Sequence, residues 1–189
     1  MNEYERILSK KKTVPPPFMR NNQDSLNVFI SYSVDDRERI DPVYNGLKRI
    51  SGVRIFYADS SIVPGDIINS KIIEAIKQSD IFLVFYSQSS IKSVYVQQEI
   101  GAALAYKKNI IPILLDETKP AGMIPNNIHY LNFSDENIKD QEYAKLHQFI
   151  LKAVQSKRAK RSNQDFITGL ALTAGIAFLL SQSKDSIDY

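Results

Sequence analysis

Four short runs, apolar on successive residues rather than on alternate ones, constrain the fold more than any other feature of this chain: NVFISY (27 to 32), VRIFYA (53 to 58), DIFLVFYS (80 to 87) and NIIPILL (109 to 115). Runs rich in β-branched and aromatic residues, with no polar face, suit strands buried on both sides of a parallel sheet. Between them lie segments of helical length, roughly 36 to 50, 66 to 78 and 92 to 107. In the second, Ile67, Ile68, Ile72, Ile73 and Ile76 recur at helix spacing. HYLNF (129 to 133) supplies a fifth strand. The stretch 141 to 154 forms a closing helix with Tyr143, Leu146, Phe149, Ile150 and Ala153 on one face. Strict alternation of strand and helix requires right-handed crossovers, which put helices on both sides of an open sheet. A ligand site is then expected in the crevice beyond the carboxyl ends of the strands.

The rest of the chain divides around this unit. Residues 1 to 25 carry Lys10, Lys11 and Lys12, then Pro15, Pro16 and Pro17, with few apolar residues, and read as a flexible tether. The basic run there is not followed by the apolar stretch of a signal peptide. Residues 26 to 155 form the folded domain, and 156 to 189 a basic cluster (Lys157, Arg158, Lys160, Arg161) with an apolar tail. No internal repeat is present.

Composition excludes several function classes. The charge is +3, from 24 basic and 21 acidic residues, too balanced for a nucleic-acid binder. With no cysteine there is no disulfide framework, thiolate nucleophile or zinc finger, consistent with a reducing cytoplasm. His129 and His147 are the two imidazoles and neither has metal-ligand spacing, so no metal and no serine-histidine relay is expected.

The informative residues collect at the strand ends: Ser31, Tyr32, Ser33, Val34, Asp35 and Asp36 after the first, ADSSIVPGD after the second, and Ser87, Gln88, Ser89 and Ser90 after the third. Pro64 and Gly65 force a bend, and Asp66 can cap the next helix. The third helix carries Glu99, four residues after Tyr95 and beside a stripe of Val96, Ile100, Ala103 and Leu104. Taken singly these residues are ordinary. A helical glutamate is usually a solvated surface group, and serine or aspartate after a strand usually caps a helix.

Their order carries more. VFISYSVDD, then RIFYADSSIVPGD leading into IIEAIKQSDIFLVFYS, then SVYVQQEIGAALAYKKNIIPILL, resembles the Toll/interleukin-1 receptor (TIR) domain over about residues 27 to 154. The resemblance implies a flavodoxin-like α/β fold with a five-stranded parallel sheet flanked by helices. It also places Pro64, Gly65 and Asp66 in the loop that in TIR domains governs assembly and covers the site. Many TIR domains cleave NAD+ at the nicotinamide-ribose bond with a glutamate on the third helix. The block Tyr95-Val96-Gln97-Gln98-Glu99 matches that motif, which makes Glu99 the catalytic carboxylate by resemblance.

By the same resemblance Ser31, Tyr32, Ser33 and Ser87 contact ribose or phosphate, and Tyr95 packs alongside the sugar or ring. NAD+ is then a substrate and no cofactor is implied. Two positions depart from the pattern of NAD-cleaving relatives, which often carry an arginine where this chain has Ser33 and an aromatic where it has Ile67. A short TIR protein with a polar amino-terminal tether is similar to the TIR component of the Thoeris antiphage defence system. That similarity implies conversion of NAD+ to a cyclic ADP-ribose-type signal, a diffusible nucleotide that activates a downstream effector. It also implies TIR-TIR homo-oligomers and a cytoplasmic setting. The alternative is a non-enzymatic TIR scaffold, the role of many adaptor TIR domains that lack the glutamate.

The tail FITGLALTAGIAFLL (166 to 180) is apolar, but as a helix its 15 residues span about 22 Å against a hydrocarbon core of about 30 Å. Small residues at spacing four (Gly169 and Thr173, Ala171 and Gly175) suit close helix packing, in a membrane or in an oligomer. Both outcomes stay open from the sequence.

Overall fold

The structure is a computed structural model, and it describes residues 25–57, 68–118 and 129–162. Pro64, Gly65 and Asp66, the segment 1 to 24 and the apolar tail 166 to 180 lie outside the described residues. Five strands, β1 (Leu26–Ser31), β2 (Val53–Tyr57), β3 (Ile81–Tyr86), β4 (Asn109–Leu114) and β5 (Leu131–Asn132), form one sheet in the order β2-β1-β3-β4-β5, every pair parallel. The helices are α1 (Arg37–Lys48), α2 (Ile68–Gln78), α3 (Gln88–Lys92), α4 (Val94–Ala105) and α5 (Lys139–Ser162), and a single 3-10 turn spans Val34–Asp36. This is the flavodoxin-like α/β arrangement that the resemblance implies, with the parallel sheet that the alternation of strands and helices leads one to expect.

Strand parity sorts the core into two layers. On β1, Leu26, Val28 and Ile30 face a cluster shared with Ile40, Val43 and Leu47 of α1 and Leu146, Phe149 and Ile150 of α5. Phe29 faces the other side, where it stacks on Phe82 at 5.3 Å and joins Ile76 of α2 and Val96, Ile100 and Ala103 of α4. All six residues of β3 are buried, as its uninterrupted apolar run requires. Each such side chain contributes about 1.5 to 3 kcal/mol on burial. Pro112 lies within β4 without breaking the sheet. The Leu115 N–H donates to Tyr86 O, so odd residues of β4 point their amides at β3 and even ones at β5. Pairing with β5 begins only at Ile113, so the position of Pro112 has no ladder bond to lose.

α5 runs further than the apolar stripe at 141 to 154 indicates. It continues through the basic cluster to Ser162, so the domain's last helix passes residue 155. The reason is a set of side-chain contacts: Lys157 reaches Asp80 at 2.5 Å, and Arg158 donates to Ser51 O at 3.1 Å. Gly52, at φ +91°, allows the turn beneath Arg158, whose Nη2 lies 2.5 Å from where a Cβ would sit. Among the described residues no helix is long and apolar enough to cross a membrane.

Candidate active site

In the order β2-β1-β3-β4-β5 the chain leaves β1 to one side and, after β2, crosses back to the other, so the switch point falls between β1 and β3. Connections diverge there and leave a crevice at the carboxyl ends of the two strands. Ser31 is the last residue of β1, and it shares the parity of Phe29, so its hydroxyl points to the α4 layer. There it donates to Glu99 Oε2 at 2.5 Å, across 68 positions of sequence.

Glu99 lies within the inward stripe of α4 with Val96, Ile100 and Ala103, rather than at its border. It is 5% exposed. Among the described residues Ser31 is its one hydrogen-bonding partner, and no cation pairs with it. Burial therefore pushes its carboxyl up to about 7, against the smaller downward pull of the Ser31 bond. Asp116, after β4, shows the opposite balance. Burial pushes it up as well. Bonds from Thr118 and the Gln88 N–H, and the charge of Arg39, outweigh that and hold it below the usual carboxylate range. A titratable group displaced towards neutrality in a strand-end crevice is a functional-site signature.

The crevice floor is a second buried cluster. Asp36, 3% exposed, accepts from Ser87 Oγ at 2.5 Å and from Arg39 Nη1 at 3.2 Å. Arg39 also donates to Leu115 O, so the ends of β1, β3 and β4 are tied by one carboxylate and one guanidinium. Ser87 accepts from the Ser90 N–H and completes a reciprocal capping box at the start of α3. Beside this clamp opens a groove of about 380 Å³ lined by Ser33, Asp35, Gln88, Ser89, Lys92 and Ser93.

The residues expected at the site are thus distributed unevenly. Ser31 and Glu99 meet, and Ser33 lines the groove. Ser87 is adjacent but its hydroxyl is committed as donor to Asp36 and as acceptor to α3, so it builds the site's end. Tyr32 has the parity of Ile30 and packs in the α1 layer, where its hydroxyl accepts from Arg37 at 2.7 Å and its ring lies 6.3 Å from Tyr57. Tyr95 is 58% exposed, one turn before Glu99 on α4. The helix expected at roughly 92 to 107 is α4, and the short α3 before it was not expected; Ser93, extended in its backbone, separates the two and caps α4. Sequence reasoning did not single out Lys92 or the clamping role of Asp36. The spacing Ser87 to Ser90 was a readable cap signal, whereas a bond between residues 36 and 87 has no local signature. No group of three or more metal-binding side chains is found among the described residues.

Comparison with known proteins agrees with this architecture. Among solved structures, the TIR domain of the Toll-related receptor TRR-2 of Hydra magnipapillata is 25% identical, with a TM-score of 0.53 over 67% of this chain and 98% of that one. A prokaryotic SEFIR domain is 24% identical over 67% of this chain and 99% of that one at a TM-score of 0.47. The CMP N-glycosidase BcmB of Clostridium botulinum is 25% identical over 63% of this chain and 96% of that one at 0.45. The last two likenesses are too loose to carry an inference. No curated protein matches significantly. A family model described as TIR domain matches residues 28–150. The chain therefore belongs to the TIR domain family.

Proposed function

We propose that this TIR domain cleaves NAD+ at the bond between nicotinamide and ribose, with Glu99 as its catalytic carboxylate. The observation that carries the reading is a buried glutamate whose sole described polar contact is the Ser31 hydroxyl, at the switch point of the sheet. The TIR family includes NAD+-cleaving enzymes, and their chemistry suits a site with one carboxylate. Nicotinamide in NAD+ is a cationic pyridinium. When its bond to C1′ breaks, the electron pair goes to the ring nitrogen and the base departs neutral, so no general acid is required. Positive charge develops on the ribose instead, and an ionised Glu99 in an apolar surround stabilises it strongly. Ser31 holds that carboxylate in place. In this reading Ser33 and Lys92, which line the groove, meet ribose hydroxyls and the pyrophosphate. Lys92 would supply the cation that Ser33 does not.

Capture of the ribosyl cation by water gives ADP-ribose. Capture by a nucleophile of the same molecule's adenosine gives a cyclic product, favoured where water is kept out. In this reading the cyclic product is the diffusible signal of an antiviral system, made by a homo-oligomer and sensed by a separate effector. Mass spectrometry of nucleotides after incubation with NAD+ tests it. Wild type releases nicotinamide, and Glu99→Gln releases it at least about a hundredfold more slowly.

A second reading is favoured by the exposed apolar pair Val94 and Tyr95, 65% and 58% exposed beside the groove, and by the near-complete enclosure of Glu99. In it the domain is a scaffold that assembles partners. Changes at Pro64 or Gly65 then abolish function, and Glu99→Gln leaves it intact.

A further inference from the structure

The opposite edge of the sheet, at the amino ends of the strands, gathers cations from elements far apart in sequence. Lys157 of α5 bonds Asp80 before β3, and Asp80 accepts the Asn27 N–H of β1 at 2.7 Å. Arg158 reaches Ser51 O before β2. Lys108, before β4, donates to Ser79 O at 3.0 Å and to Lys77 O at the end of α2. These bonds make one continuous pole of the loops before β2, β3 and β4. Arg49, Lys77, Lys107 and Arg158 stand exposed on it. Among the described residues none of these four has a carboxylate within ion-pair distance. Tyr106, 41% exposed, lies with its ring 5.0 Å from Lys77 Nζ. α5 ends in the same region with Lys160 and Arg161, and only Asn163, Gln164 and Asp165 separate it from the apolar run at 166 to 180.

We infer that this pole is a docking surface for an anionic lipid membrane. Exposed cations with an amphipathic tyrosine among them match the charge and polarity of a headgroup layer. The neighbouring 15-residue apolar run gives the second, hydrophobic element that stable attachment needs. A nucleic acid would satisfy the cations but leave that run without a partner, so a membrane accounts for both features. Docked this way, the domain turns the carboxyl ends of its strands, with Glu99 and the groove, towards the aqueous phase. The inference is independent of the reaction assigned to Glu99.

Sedimentation of the full chain with vesicles tests it. Wild type is expected to bind phosphatidylcholine vesicles containing phosphatidylserine more tightly than phosphatidylcholine alone. The triple variant Arg49→Gln, Lys77→Gln, Lys107→Gln is expected to lose about fivefold per cation on the anionic vesicles, about a hundredfold together. Its thermal unfolding is expected to match wild type, since the three side chains are exposed. Because the chain has no cysteine, Lys77→Cys and Val94→Cys each give one labelling site. An environment-sensitive dye at 77 shifts on anionic vesicles, and one at 94, at the other pole, does not. Equal wild-type affinity for both vesicle types, a triple variant that binds like wild type, a dye response at 94 instead of 77, or tighter binding to single- or double-stranded nucleic acid than to vesicles would overturn the inference.

Discussion

The two edges of this sheet use the same kinds of residue to opposite ends. At the amino edge the buried charges are matched: Asp80 accepts a backbone N–H and a lysine, and Lys108 satisfies two carbonyls, although Asn27 Oδ1 is buried there without a partner among the described residues. At the carboxyl edge Glu99 is more deeply enclosed than Asp80, yet a single hydroxyl is its polar partner among the described residues. The first arrangement favours the folded state. The second costs stability, a cost that the proposed reaction would explain. The carboxyl edge is not lax throughout, because Asp36 and Arg39 together tie the ends of β1, β3 and β4. The contrast is therefore between one acid and its surroundings, not between a rigid half and a loose one.

The largest expected effect breaks that clamp. Asp36→Ala leaves the Ser87 hydroxyl without its acceptor and Arg39 without its carboxylate. It should cost about 2 to 4 kcal/mol in denaturant unfolding. Next comes Glu99→Gln, which keeps an acceptor for Ser31 and removes the titration. A carboxyl that moves from 4.5 to about 7 on folding holds its proton more tightly in the native state. Its favourable contribution is present below about pH 4.5 and is lost as pH rises through 7, by up to about 3 kcal/mol. Glu99→Gln should thus stabilise the domain at pH 8 and have little effect at pH 5, as read by thermal melts at the two pH values. At the amino edge Asp80→Asn should cost about 1 kcal/mol, because the Lys157 pair is partly exposed while an amide still accepts from Asn27. Arg158→Gln should cost about half as much, consistent with one exposed bond to a carbonyl. A double variant of Asp80 and Lys157 that melts no lower than Asp80→Asn alone would sharpen the comparison, by showing that the pair acts as one unit.

Much of the fold was legible because β1, β3 and β4 lie inside the sheet and are apolar on both faces, so their runs end within a residue or two of the observed strands. That same property hid which face each strand-end residue would take. Ser31 and Tyr32 are adjacent, and nothing in NVFISY says that one points to α4 and the other to α1. Glu99 was legible through its motif, but its place inside the apolar stripe of α4 follows from the packing of that helix over β1. The residues after 155 read from sequence only as a basic cluster, with no sign of their partners. Lys157 and Arg158 find Asp80 and Ser51 only once α5 crosses the sheet, across 77 and 107 positions.

The central claim is that a carboxyl destabilised by burial is held there to stabilise positive charge on a bound sugar. Nicotinamide release from NAD+, followed from pH 5.5 to 8.5 for wild type and Glu99→Gln, addresses it most directly. The account predicts a wild-type rate that climbs as Glu99 ionises near pH 7 and a variant at least about a hundredfold slower at pH 8. A variant that releases nicotinamide as fast as wild type across that range would contradict it.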